Sequence, residues 1–111
     1  LLGDGSLGMT LGELETISRE KLHVIVILVN DDAYGNIKQE EKFKTGTENY
    51  IGVEFPSIDY VRVAEALGYN GTIVRKASEI PQAMEAARAS DKPFMIEVKL
   101  DGSYTVWPSC F

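Results

Sequence analysis

Residues 23–35 read His-Val-Ile-Val-Ile-Leu-Val-Asn-Asp-Asp-Ala-Tyr-Gly. Residues 24–29 form an uninterrupted apolar run rich in β-branched side chains, which is typical of a parallel strand covered on both faces. The polar residues that follow at once predict that a strand over residues 23–29 ends in a tight turn. A buried parallel strand needs helical crossovers on either side, and the rest of the chain has patterns for them.

Upstream of this strand, Leu1 and Leu2 form an apolar strand end that runs directly into a glycine turn. We therefore expect residues 1–111 to be part of a larger domain whose upstream portion is missing. A helix follows, for which Thr10 and Glu13 provide a capping-box pattern. Its expected apolar stripe is Leu7, Leu11, Leu14 and either Ile17 or Ser18.

Downstream, residues 36–56 lack periodicity and predict a long, partly helical excursion. Two further helix–strand units follow, with strands expected over residues 72–74 and 94–98. Ser57 and Ser78 are the expected N-caps, Gly68 is the expected end of the first helix, and the apolar stripes are Tyr60, Val63, Ala64, Leu67 and Ile80, Ala83, Met84, Ala87. The alternation predicts an α/β fold, a three-layer parallel sheet with right-handed crossovers and helices on both faces.

The composition excludes several classes of function. Eleven basic and seventeen acidic residues give a net charge of −6, so a nucleic-acid phosphate backbone would be repelled. No apolar run reaches the length of a membrane span, and we expect no membrane partner. A single cysteine, Cys110, cannot form an internal disulfide and suits a cytoplasmic protein. We expect Tyr104 and Trp107 to pack the tail against the domain.

The turn Gly3-Asp4-Gly5-Ser6 lies between a strand end and a helix. Small residues there let backbone N–H groups approach an anion, so a phosphate group is a reasonable ligand. The spacing of Gly3, Gly5 and Gly8 also fits the dinucleotide fingerprint, which predicts a Rossmann domain for NAD or FAD as an alternative. A carboxylate at Asp4 would repel a bare diphosphate, whereas a divalent cation between them removes the conflict.

The second polar turn, Asn30-Asp31-Asp32-Ala33, follows the next strand. Carboxyl ends of parallel strands meet at one edge of the sheet, so Asp4 and Asp31 are expected to face each other. Two carboxylates and a backbone carbonyl make half a ligand shell for Mg²⁺, and phosphates and water would complete it. Alternatively, these residues only turn the chain and cap a helix.

Together these motifs resemble the signature of thiamine-diphosphate enzymes, in which Gly-Asp-Gly and Asn-Asn are separated by a spacer of about this length. The resemblance covers nearly the whole chain, and includes Ala33-Tyr34-Gly35-Asn36-Ile37 and the helical segment near residues 59–68. The most similar group holds acetohydroxyacid synthases, benzoylformate decarboxylase and related 2-oxo-acid decarboxylases. The resemblance thus implies the C-terminal domain that binds the cofactor's pyrophosphate.

The resemblance also implies roles for single residues. Metal ligands would be Asp4, Asp31 and the Ala33 backbone oxygen, with Asp31 standing where the family commonly has Asn. Gly5 and Ser6 would bind the pyrophosphate. Tyr34 and Gly35 would belong to the cofactor site, although Tyr34 could equally fill core. Asn36 and Ile37 would border the substrate, or be an ordinary surface residue and core residue.

For the whole protein, the resemblance implies a homodimer or homotetramer that decarboxylates or ligates 2-oxo acids with thiamine diphosphate and Mg²⁺. The activating glutamate of the family lies on another domain, so this chain alone is expected to be inactive. Three hypotheses stay open from the sequence: part of such an enzyme, a dinucleotide-binding domain, and a non-catalytic α/β module whose turns imitate a site.

Overall fold

A parallel sheet forms the centre of the molecule. The computed structural model describes residues 1–101, and within that range it contains four strands and five α-helices. The strands are β1 (Leu2–Gly3), β2 (Ile25–Asn30), β3 (Asn70–Val74) and β4 (Phe94–Lys99). The helices are α1 (Asp4–Thr10), α2 (Glu13–Arg19), α3 (Gly35–Thr45), α4 (Tyr60–Ala66) and α5 (Ile80–Ala89), with a 3-10 turn at Ala77–Glu79 before α5.

The strand order is β1-β2-β4-β3, and every neighbouring pair is parallel. β4, the last of the described strands in sequence, therefore lies between β2 and β3. Its register sets Leu28 of β2 beside Glu97, and Asn30 beside Lys99. All the carboxyl ends emerge on one edge, which brings the ends of β1, β2 and β4 together although they are far apart in sequence.

Helices cover both faces of this sheet, which confirms the predicted three-layer α/β architecture. On one face, α1, α2 and α4 enclose a core of Leu7, Leu14, Val26, Leu28, Tyr60, Ala64, Tyr69 and Met95. On the other face, α5 packs Ala83 and Ala87 against Val74, Phe94 and Ile96. Side chains of β4 alternate between the two cores, so this strand is buried on both sides.

The apolar run that predicted β2 is covered unevenly. Val26, Leu28 and Asn30 are buried toward the larger core, whereas Ile25, Ile27 and Val29 on the other side are half-buried. The strand is Ile25–Asn30, so it begins later than predicted and includes Asn30. His23 lies before it, exposed and outside any helix or strand.

The expected helix caps are wrong in three places. Thr10 lies at the end of α1, and its hydroxyl donates to the Ser6 carbonyl oxygen. Asp59 caps α4 in place of Ser57, accepting a hydrogen bond from the Arg62 backbone N–H.

The third expected cap, Ser78, lies inside the 3-10 turn. The Glu79 carboxylate instead accepts the backbone N–H groups of Arg75 and Lys76. Ile80, predicted to face the core, is exposed. By contrast, Gly68 follows α4 with φ +94° and ends it as expected.

The predicted excursion over residues 36–56 is confirmed as partly helical. α3 buries none of its side chains, and the chain then returns through residues 46–59 to α4. The expectations for Tyr104, Trp107 and Cys110 lie outside the described residues. Within residues 1–101, no helix is long and apolar enough to cross a bilayer.

Candidate functional site

A cleft of about 520 Å³ opens at the carboxyl edge of the sheet. Its floor is formed by Gly3 at the end of β1, Val29 near the end of β2, and Leu100 just after β4. The first turn of α1 and the start of α3 form its walls. This is the edge where parallel α/β sheets bind ligands.

Asp4 is the first residue of α1, immediately after β1, and its side chain is only 3% exposed. Its Oδ1 accepts the Gly5 N–H at 3.0 Å, and its Oδ2 accepts the Ala33 N–H at 3.1 Å. The carboxylate therefore joins the two polar turns. Burial raises the pKa of Asp4 above its usual 3.8, and the nearby charge of Asp31 raises it further.

The turn after β2 is held in one conformation by its own side chains. The Asn30 Oδ1 accepts the Asp32 N–H at 2.8 Å, and Asp32 adopts a left-handed backbone with φ +53°. An aspartate tolerates this conformation better than most residues. The geometry directs Asp31 and Ala33 to the cleft, whereas Asp32 is absent from its lining.

Behind the turn, β4 contributes a buried polar network. Glu97 is fully buried, and its Oε1 accepts the Asn30 Nδ2–H at 2.7 Å. Its Oε2 accepts the Val61 N–H at 3.3 Å. The Lys99 ammonium lies 3.2 Å from Glu97 Oε1 and 3.2 Å from Asp32 Oδ1. Each of these groups has a partner, as buried polar atoms require.

Tyr34 forms one wall of the cleft. Its ring packs against Phe55 in a T-shaped contact with centroids 4.6 Å apart, and its N–H donates to the Val53 carbonyl at 2.8 Å. The Tyr34 ring also covers Gly5, where an added Cβ would lie 2.6 Å from ring carbon Cδ1. Any side chain at position 5 would therefore require the Tyr34 ring to shift.

The structure brings all nine residues predicted for the site to the cleft lining: Asp4, Gly5, Ser6, Asp31, Ala33, Tyr34, Gly35, Asn36 and Ile37. Ile37 is about half exposed there, so its alternative as a core residue is wrong. Gly3, Val29 and Leu100 also line the cleft, and no sequence pattern predicted them or the network behind the turn. The available signal was a pair of charged residues, Glu97 and Lys99, on a strand that otherwise reads as apolar.

The donor set at this cleft suits a hard cation. Within residues 1–101, no three His, Cys, Asp or Glu side chains cluster as ligands. Asp4, Asp31 and the Ala33 carbonyl are the groups that could hold Mg²⁺, because this ion takes one or two carboxylates and completes its shell with phosphate oxygens and water.

The family model described as "Thiamine pyrophosphate enzyme, C-terminal TPP binding domain" matches residues 1–98. The chain belongs to this family. Thiamine pyrophosphate, also called thiamine diphosphate, is the cofactor that domains of this family bind. The match includes both polar turns of the cleft and the whole described sheet except the end of β4.

Similar proteins include several thiamine-dependent enzymes. A pyruvate oxidase from Lactiplantibacillus plantarum is 33% identical over 92% of the chain, and the acetolactate synthase isozyme 2 large subunit of Escherichia coli is 27% identical over 96%. A thiamine diphosphate-dependent 4-hydroxybenzoylformate decarboxylase from Rhodococcus jostii RHA1 matches 92% of the chain with a TM-score of 0.78 and 32% identity. The chain spans only 17%, 19% and 20% of these three proteins, respectively.

These findings give no support to the dinucleotide alternative. In the dinucleotide fingerprint the third glycine lets the helix pack closely on a strand. Here a Cβ added at Gly8 would meet nothing within 4 Å, so no close approach requires that glycine. The spacing of Gly3, Gly5 and Gly8 therefore does not support a dinucleotide-binding domain.

Proposed function

We propose that this chain binds the diphosphate of thiamine diphosphate through a magnesium ion, as part of an enzyme that acts on 2-oxo acids. Asp4, Asp31 and the Ala33 carbonyl would hold the ion. Ser6, in the first turn of α1, would donate its backbone N–H to the phosphates, since a helix leaves its first N–H groups without internal partners. Gly5, whose own N–H donates to Asp4 Oδ1, would leave room for the phosphates to approach the backbone.

The buried Asp4 carboxylate carries this proposal. A carboxylate buried beside a second one is unfavourable by itself, and the raised pKa of Asp4 reflects that cost. A divalent cation between Asp4 and Asp31 would convert the repulsion into attraction, and the cation in turn would attract a diphosphate. The two N–H groups on Asp4 fix its orientation without neutralising it.

When bound, the cofactor's thiazolium ring would supply an electron sink for the loss of carbon dioxide from a 2-oxo acid. The residues of this chain would anchor and orient the cofactor. Asp4 and Asp31 would fix the depth at which the diphosphate sits in the cleft, and the Tyr34 wall would limit its lateral movement. Anchorage of this kind contributes to catalysis by aligning the reacting groups.

Asp31 gives this site a particular electrostatic character. The amide of an Asn ligand is neutral, whereas Asp31 adds a negative charge beside the phosphates. We expect metal binding to be retained, with a metal preference that differs from an Asn-bearing site. Measured Mg²⁺ affinity that stays unchanged in Asp31→Asn would contradict the charge effect.

The substrate side of the cleft would be Asn36 and Ile37, which line it from the first turn of α3. An apolar side chain at position 37 suits a 2-oxo acid with a hydrophobic substituent. The activating carboxylate would come from another domain, and the enzyme would be a cytoplasmic homodimer or homotetramer. Turnover by the 111-residue chain alone would contradict this division of labour.

Titration of the metal-free, full-length protein with thiamine diphosphate tests the proposal. Calorimetry should detect binding in the presence of Mg²⁺ and little or none with excess chelator. NAD and FAD serve as matched controls, because the dinucleotide alternative needs no metal. Equal thiamine diphosphate affinity with and without Mg²⁺ would overturn the metal bridge, and failure to bind it in either condition would overturn the function.

A further inference from the structure

Two neighbouring carboxylates, Asp31 and Asp32, follow β2, but they face different surroundings. Asp31 lines the cleft, whereas the Asp32 carboxylate lies 3.2 Å from the Lys99 ammonium. The chain therefore separates two chemically identical groups that are adjacent in sequence. The cause must lie in whatever holds the turn, because an unrestrained Asn-Asp-Asp segment could offer either carboxylate to a cation.

The restraint comes from β4. Glu97 binds the side-chain amide of Asn30, and the side-chain oxygen of Asn30 binds the Asp32 N–H. Lys99 contacts both Glu97 and Asp32, so it closes a ring of four residues behind the turn, in which Asp32 takes part through its backbone N–H and its carboxylate. The Lys99 side chain is 14% exposed and Glu97 is fully buried, so water does not compete strongly for the contacts of Glu97. The Asp32 side chain is 33% exposed, so its contact with Lys99 is partly solvated.

We propose that Glu97 and Lys99 are positioning residues, which hold the turn over residues 30–33 so that Asp31 and the Ala33 carbonyl, rather than Asp32, are presented to the cation. This inference rests on the proposed function. Residues that orient metal ligands from behind the site typically change metal affinity by about 10- to 100-fold when they are removed. Lys99 also stabilises the left-handed backbone at Asp32, because its ion pair restrains that residue.

The sign of the effect separates positioning from simple electrostatics. Lys99 is a positive charge near the cation site, so its removal would strengthen Mg²⁺ binding if charge were its whole contribution. Positioning predicts the opposite, because loss of Lys99 frees Asp32 and loosens the turn. We therefore expect Lys99→Met in the full-length protein to weaken Mg²⁺-dependent binding of thiamine diphosphate by about tenfold or more.

The experiment measures the Mg²⁺ concentration that half-saturates thiamine diphosphate binding, together with the melting temperature of the metal-free protein. Lys99→Arg should retain most of the affinity, because it keeps a cationic donor. Lys92→Met is the matched control, since Lys92 is exposed at the opposite end of β4. With Mn²⁺ in place of Mg²⁺, the electron paramagnetic resonance spectrum should change in Lys99→Met and stay native in Lys92→Met.

If Lys99→Met does not fold, Asp32→Asn provides the test, because Asn tolerates the left-handed backbone and only the ion pair is weakened. This variant should raise the half-saturating Mg²⁺ concentration several-fold and alter the Mn²⁺ spectrum. A lower melting temperature with unchanged Mg²⁺ dependence, or tighter Mg²⁺ binding in Lys99→Met, overturns the positioning role. Absence of Mg²⁺-dependent binding in the native protein would instead overturn the proposed function itself.

Discussion

The turn from β1 into α1 and the turn from β3 toward α5 both contain a carboxylate that accepts two backbone N–H groups. Asp4 accepts those of Gly5 and Ala33, and Glu79 accepts those of Arg75 and Lys76. The bonds are similar in number and length, yet the pKa of Asp4 is raised and the pKa of Glu79 is lowered.

Burial and neighbouring charge explain the difference. The hydrogen bonds from the Arg75 and Lys76 backbone N–H groups lower the pKa of Glu79, and the cationic side chains of the same two residues lower it further. Asp4 is buried beside Asp31, so the cost of its charge exceeds what its hydrogen bonds return. The Glu79 carboxylate therefore stabilises its turn, whereas the Asp4 carboxylate is an unfavourable charge that a bound cation would stabilise.

The largest expected effect tests that distinction directly. Asp4→Ala in the full-length protein should weaken Mg²⁺-dependent thiamine diphosphate binding by more than about 100-fold, above the range for residues that only support a ligand. Glu79→Ala, which removes the equivalent carboxylate from the other turn, should leave binding unchanged. Calorimetry on both variants measures the contrast, and equal losses of affinity would contradict it.

Alanine substitutions at two glycines of α1 should have a smaller effect on cofactor affinity, and the effect should differ between the two positions. Gly5→Ala places a Cβ 2.6 Å from the Tyr34 ring, so the ring must shift and the cleft wall with it. Overpacking of this kind costs about 1–3 kcal/mol, and a loss of about 1.4 kcal/mol in binding corresponds to tenfold in affinity.

Gly8→Ala is the matched control, because a Cβ at that position meets nothing within 4 Å. It should leave cofactor affinity unchanged and raise stability by up to about 1 kcal/mol through helix propensity. Thermal unfolding and cofactor titration of both variants measure these effects. Native affinity in Gly5→Ala would show that Tyr34 is not a fixed wall.

The smallest expected effect concerns the pH dependence of protein stability, to which Asp4 and Glu79 should contribute with opposite signs. The raised pKa of Asp4 means that its ionisation destabilises the metal-free protein as the pH rises from 3.8 through the folded-state value. The lowered pKa of Glu79 means that its contribution is complete above 4.5 and is lost as the pH falls through the folded-state value.

Melting temperatures of the metal-free protein measure this contrast. With rising pH, the difference between the native protein and Asp4→Asn should fall, whereas the difference between the native protein and Glu79→Gln should rise. Slopes of the same sign would mean that the pKa values of Asp4 and Glu79 are not shifted in opposite directions.

The sequence predicted the parts of this molecule that depend on local pattern. The apolar runs near residues 24–29 and 94–98 identified two central strands, and the alternation of strands and helices along the chain implied a parallel sheet. The polar turns at the strand ends then predicted which residues would meet, because parallel strands place their carboxyl ends on one edge. That topological rule is why Asp4 and Asp31 could be paired from sequence.

Helix starts were predicted less well, because several candidate caps compete near each one. Thr10 matched a capping pattern, but α1 begins at Asp4 directly from the strand, and Thr10 is already at its end. Ser57 was the expected N-cap of α4, but Asp59 caps the helix, because its carboxylate accepts the Arg62 N–H. The Asn30–Glu97 bond joins residues 67 positions apart and depends on the register of β2 and β4, which no local pattern contains.

The strand order has a consequence for how the protein is made. β4 emerges last among the described strands but occupies an interior place in the sheet. During synthesis, β2 and β3 have no strand to join them until residues 94–99 have left the ribosome. Until then the Asn30 side chain lacks Glu97, so the cleft cannot acquire its final form. Nascent chains released before that point would expose apolar strand edges, which favour aggregation.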